Sequence, residues 1–209
     1  LFNQWGSYRR GSAMRFACCK ILFGKTPFRE FVKAVASMGF DGVEAGISEI
    51  KEAYGSAKVF SAEMEAHGLK LAGSYWGGPF YDPAQHERLV KEAVGQAEFL
   101  RNVGSQHLVI GPPGRFKGFE EAAEKYLKAT AQCLDKVGAA VQDQGVLIGL
   151  HNHYGCIAES RREIDFIMAN TDPTLVGFAP DTCHLAVAGC DVLETIRTYS
   201  RRVNYVHLK

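Results

Sequence analysis

The sequence predicts an α/β fold, a TIM (β/α)8-type barrel with about seven of its strands present, and three observations predict it. From Met14 onward, short apolar runs alternate with longer segments of helical period, and Gly, Pro, Asp or Ser stand at the junctions. No antiparallel hairpin signal interrupts that rhythm, so the strands are read as parallel. The residues after the first strand, Lys20-Ile21-Leu22-Phe23-Gly24-Lys25-Thr26-Pro27, contain no glycine-rich phosphate loop, which favours a barrel over an open nucleotide-binding sheet.

Taken in order, strands are expected at 15–19, 42–46, 70–76, 106–110, 146–151, 175–180 and 203–207, with six helices between them. The first helix is expected near 27–38. Thr26 can cap it, Pro27 suits its first turn, Glu30 complements the dipole and Gly39 ends it. Phe28, Phe31, Val32 and Val35 then share one face. A long helix over about 120–144 opens on Glu120, Glu121 and Glu124 and ends at Gln144-Gly145. Residues 1–13 read as an extension and 14–209 as one barrel domain. A full barrel of this type needs about 250 residues, so the chain is expected to stop before strand eight.

Composition narrows the ligand class. Across 209 residues, 24 Lys and Arg nearly cancel 23 Asp and Glu, which leaves no field favouring nucleic acid. Six cysteines, at 18, 19, 133, 156, 183 and 190, lack paired spacing and read as reduced, mostly buried thiols, in keeping with an expected cytoplasmic location. No apolar run reaches the ~18 to 20 residues of a membrane span. The expected partner is a small polyhydroxylated carbonyl compound; homo-oligomerisation is allowed, and nucleic acid and membrane are not expected.

Metal-ligating side chains collect where a β/α barrel builds its active site, at the C-terminal ends of strands. The fifth strand runs into His151-Asn152-His153, the sixth into Asp181-Thr182-Cys183-His184, and the seventh into His207-Leu208-Lys209. By strand parity Gly149, His151 and His153 share a face, as do Gly177, Ala179 and Asp181, and Val203, Tyr205 and His207, and the small inward residues leave room for a site. Taken singly, each His is more readily a hydrogen-bonded loop residue and Asp181 a cap of the following turn. Three on consecutive strand ends point instead to a metal held by His151, Asp181 and His207. Imidazole and carboxylate donors suit one divalent ion, Mn²⁺, Co²⁺, Zn²⁺ or Fe²⁺, better than Ca²⁺, with Mg²⁺ compatible where water and substrate complete the shell. His67 and His86 read as surface residues, and His107 lies at the entry of its strand, on the stability face.

The segment Asp181-Thr-Cys-His-Leu-Ala-Val-Ala-Gly189, followed by His207-Leu-Lys209, resembles the xylose isomerase-like TIM-barrel superfamily of sugar-phosphate isomerases/epimerases and bacterial AP endonucleases. The resemblance covers about 14–209. It implies one divalent metal held by residues ending strands five to eight, with Asp181 and His207 matching and His151 in the fifth-strand position. Many epimerases of that family carry Glu at the fifth position and pair it with the eighth-strand Glu. The His-Asn-His here looks more like the branch that contains inosose dehydratase.

The mechanism this implies is proton abstraction next to a carbonyl, with His153 or His184 as base or orienter and Lys209 as electrophilic aid. Glu44 and Trp76, ending strands two and three, are candidates for binding substrate hydroxyls and stacking on a sugar face, and equally for a cap neighbour and a packing residue. The alternatives are an inosose-dehydratase-like keto-sugar lyase and an inactive fragment or binding protein. An AP endonuclease would need His ligands on strands three and four, which end in Tyr75-Trp76 and Gly111-Pro112. An iron oxygenase of the two-His-one-carboxylate type is the remaining reading of the same ligand set. Arg161-Arg162 can hold a phosphate, although surface solvation is the more ordinary role of such a pair.

Overall fold

The computed structural model describes residues 14–209; the expected extension over 1–13 lies outside the described residues. Six strands form one parallel sheet in chain order: β1 (Ala17–Cys19), β2 (Gly42–Glu44), β3 (Lys70–Gly77), β4 (His107–Gly111), β5 (Leu147–Leu150) and β6 (Val176–Phe178). Each strand pairs with the one that precedes it, as a barrel wall wound in a single direction requires.

The expected seventh strand differs. Residues 203–207 join β6 through two isolated parallel bridges, Phe178 to Val203 and Asp181 to His207. Between them, three residues on one side face two on the other, a one-residue register slip of bulge type. Side chains make up for missing ladder bonds: Arg202 donates to the Val176 carbonyl and Asn204 Nδ2 to that of Ile148.

Eight α-helices are described where six were expected: α1 (Phe28–Ser37), α2 (Ile47–Tyr54), α3 (Ala57–Ala66), α4 (His86–Asn102), α5 (Ala123–Gln142), α6 (Arg161–Ala169), α7 (Thr182–Val187) and α8 (Val192–Thr198). The β2–β3 crossover is broken in two at Gly55, whose φ of 73° is accessible to glycine without strain. The β6–203 crossover likewise holds two short helices separated by Gly189. Helix α1 buries the predicted face, Phe28, Phe31, Val32 and Val35. Its start is not capped by Thr26: Pro27 holds the N-cap position without a side-chain bond, and its carbonyl accepts the Glu30 and Phe31 N–H groups. Helix α5 begins at Ala123, because Glu120–Ala122 form a 3-10 turn ahead of it.

The main core lies between the helices and the outer face of the sheet, where Phe31, Phe60, Leu89, Leu100, Leu134 and Val137 are fully buried. Each such side chain contributes about 1.5–3 kcal/mol on burial. Inside the barrel, glycines admit a second set of side chains. A Cβ on Gly111 would lie 2.0 Å from the Tyr75 ring, and one on Gly177 would lie 2.2 Å from Asn204. Gly149 gives way to Asn204 and Gly73 to Tyr205 in the same manner. The space expected to serve a ligand at Gly149 and Gly177 is thus filled from the seventh segment.

Candidate metal centre at the strand ends

Asp181 follows β6, and its two carboxylate oxygens do different things. Oδ1 accepts the His184 N–H at 2.9 Å and caps α7, as the sequence allowed. Oδ2 is buried and faces the other members of the site. The Lys209 ammonium stands 2.7 Å from Oδ2 and forms an ion pair with it. Burial raises the Asp181 carboxyl, but Lys209 and the His184 N–H outweigh it and hold it below the usual carboxylate range.

Asn152 fixes where Asp181 sits. Its amide, fully buried, accepts the Asp181 N–H at 2.8 Å and donates to the Asp181 carbonyl at 3.2 Å, so a side chain extends the β5–β6 ladder past the last paired residues. The residue before it, His151, is thereby held next to Asp181. Its Nδ1 is buried without a partner, and burial, then the neighbouring His207 charge, pushes its pKa down to about 3. A neutral imidazole results, the form that binds a metal.

His151, Asp181 and His184 each bring a ligand atom within 4.8 Å of the others. His184 was expected to act as base or orienter; its position in α7 instead places it in the ligand-capable group. His207, the expected third ligand, lies just outside. Its Nδ1 is 3.8 Å from Asp181 Oδ2, and its ring centre is 4.7 Å from that of His151. A buried imidazole nitrogen without a partner, His151 Nδ1, in a group of imidazoles and a buried carboxylate fits a borderline divalent ion such as Zn²⁺, Co²⁺ or Mn²⁺.

His153 lies against His184 with ring centres 3.8 Å apart and planes tilted by 36°, and its Nδ1 is 2.8 Å from the Tyr154 carbonyl. With Nδ1–H donating there, Nε2 is left as an acceptor. Burial, partly offset by Asp181, lowers the His184 pKa.

Two expected substrate contacts are corrected. Glu44 is 3% exposed and both its oxygens are engaged: Oε2 accepts from His207 Nε2 at 2.7 Å and Oε1 from the Cys19 thiol at 3.3 Å. Burial raises its carboxyl, yet the bond and charge of His207, with Tyr205 and Cys19, hold it below the usual range. Trp76 takes the outer pleat of β3 and packs edge-on against Phe80 in the core. The aromatic on the inner pleat is Tyr75, 38% exposed and edge-on to His151 at 5.5 Å. The alternation Gly73-Tyr75-Gly77 carried that signal in the sequence. Asn152 and Cys19 carried none that set them apart. His86, expected on the surface, is buried at the start of α4, its Nε2 bonded to the Phe80 carbonyl at 3.0 Å. Arg161 is held by Asp165 and Glu194, and so is not free for a phosphate.

The chain is 29% identical over 192 residues to an inosose dehydratase of Clostridium perfringens, an alignment covering 87% of this chain and 63% of that protein. It therefore spans less than two thirds of that relative's length. Among solved structures it resembles a sugar phosphate isomerase/epimerase from Parabacteroides distasonis, with a TM-score of 0.76, 17% identity and coverage of 94% of this chain and 76% of that one. It also resembles the IolI protein with a bound zinc atom, with a TM-score of 0.77, 15% identity and coverage of 93% and 72%. The family model described as xylose isomerase-like TIM barrel matches residues 32–209, and the chain belongs to that family.

Proposed function

We propose that this chain carries most of the active site of a divalent-metal-dependent sugar or sugar-phosphate isomerase/epimerase that works by proton abstraction next to a carbonyl. The observation that carries the reading is the buried, unpartnered His151 Nδ1 grouped with the buried Asp181 carboxylate and His184, with His207 beside them. His151, Asp181 and either His184 or His207 would hold the ion. Once bound, a divalent ion there would polarise a substrate carbonyl and acidify the adjacent C–H. His153, with its Nδ1–H given to Tyr154, presents Nε2 as the proton acceptor, and the adjoining His184 ring keeps it in place. Lys209 offsets the Asp181 charge and can donate to a substrate oxygen from the same edge. Tyr75 is the apolar face on which a small polyhydroxylated carbonyl compound would rest.

A second reading, an inosose-dehydratase-like keto-sugar lyase, is favoured by the identity to inosose dehydratase and by His151-Asn152-His153. The test begins with zinc and manganese affinity of the purified chain beside an Asp181→Ala, His207→Ala double variant, both checked for folding by circular dichroism. Tight binding in the parent, lost in the variant, is expected. A well-folded parent that binds neither ion sinks the metalloenzyme reading. Keto-sugars are then screened in deuterated water: label uptake without loss of water marks an isomerase/epimerase, and release of water marks the lyase.

A further inference from the structure

Glu44 lies on β2 and His207 on the seventh segment, 163 residues apart in sequence and on different walls of the barrel. They meet through a 2.7 Å contact from His207 Nε2 to Glu44 Oε2. The other ring nitrogen, Nδ1, is turned toward Asp181 Oδ2 at 3.8 Å. A carboxylate can only accept, so this contact requires the proton of His207 on Nε2. In the neutral ring, the form a metal binds, Nδ1 then keeps its lone pair on the side of Asp181 and His151.

The carboxylate is itself fixed. Cys19, paired directly opposite Glu44 in the β1–β2 register, donates its thiol to Oε1 at 3.3 Å. The same side chain is 3% exposed, so water does not compete for its oxygens. We propose that Glu44 is a positioning residue for the metal centre: it sets the tautomer and ring orientation of His207 so that Nδ1 is the nitrogen offered to the ion. The assignment rests on the metal reading above and gives Glu44 a role other than hydroxyl recognition. Partners of this kind raise ligand basicity and lock ring orientation, and their removal typically weakens metal binding about 10- to 100-fold.

The test pairs zinc affinity with ¹⁵N NMR of the histidine rings in the parent, Glu44→Ala and Glu44→Gln chains, with folding checked by circular dichroism. The His207 signals are identified by their loss in His207→Gln. The parent should show the proton on Nε2. Glu44→Ala should lose zinc affinity about 10- to 100-fold and show mixed His207 tautomers. Glu44→Gln, whose amide oxygen still accepts from Nε2–H, should keep the tautomer and recover part of the affinity; it also serves if Glu44→Ala does not fold. Affinity within twofold of the parent in a folded Glu44→Ala, or an unchanged His207 tautomer there, overturns the assignment. A parent that binds no zinc ends the metal reading, and the tautomers recorded without zinc then decide the role of Glu44 alone.

Discussion

His151 is 2% exposed, and burial together with the His207 charge takes its pKa from an ordinary 6.5 to about 3. Between those two values the unfolded chain holds a proton on this ring that the folded chain does not. Stability therefore falls as the pH drops below the unfolded value, by about 1.4 kcal/mol per pH unit. Going from about pH 7 to about pH 5 removes roughly 2 kcal/mol through this one ring, set against a typical total of about 5–15 kcal/mol. The carboxyls of Glu44 and Asp181 act in a lower window. Their folded pKa values are depressed, so their contribution is present above the unfolded carboxylate values, near pH 4, and is lost as the pH falls through the folded ones. Urea unfolding followed by circular dichroism, in EDTA at about pH 7 and about pH 5, isolates the effect when the parent is compared with His151→Gln. The parent should lose roughly 2 kcal/mol more than the variant over that interval. Equal losses would refute the claim that folding keeps this imidazole neutral.

Two further predictions concern the supports of the site. Asn152→Ala leaves the buried Asp181 N–H and carbonyl without partners and should cost about 2–4 kcal/mol in urea unfolding, whereas a change under about 0.5 kcal/mol would mean that the strand ends hold Asp181 without the amide. Gly111→Ala drives a methyl group into the Tyr75 ring and should cost about 1–3 kcal/mol, most of which disappears in a Tyr75→Ala background; the same cost in both backgrounds would place the strain elsewhere.

Patterns local to one strand or helix were legible in the sequence. The order β1 to β6 follows from alternating apolar periods, and α1 buries the face read from Phe28, Phe31, Val32 and Val35. His151, Asp181 and His207 were picked out because strand ends in this fold point to one mouth. On strand three the same parity, with Gly73 and Gly77 on the inner face, points to Tyr75 rather than Trp76. The contact between Glu44 and His207 was not legible, because no local pattern announces a partner 163 residues away. The role of Asn152 was hidden for a different reason: an amide between two histidines looks like a spacer until the neighbouring strand's backbone is placed beside it. Gly55 was visible as a glycine, but whether it ends one helix or merely interrupts it depends on packing against β3.

The register slip between β6 and the seventh segment makes the number of residues there matter as much as their kinds. Between the Val203 and His207 bridges the extra residue sets which way the last histidine points, since a shift of one residue sends a side chain to the opposite face. A substitution at Val206 leaves that count intact, while a change of one residue in the length of the stretch would reset the register between Val203 and His207 with every ligand still encoded. Inheritance of this site therefore constrains length changes in a short segment more tightly than it constrains spelling. Related chains that preserve the mouth should differ here by exchange of residues and not by gaps.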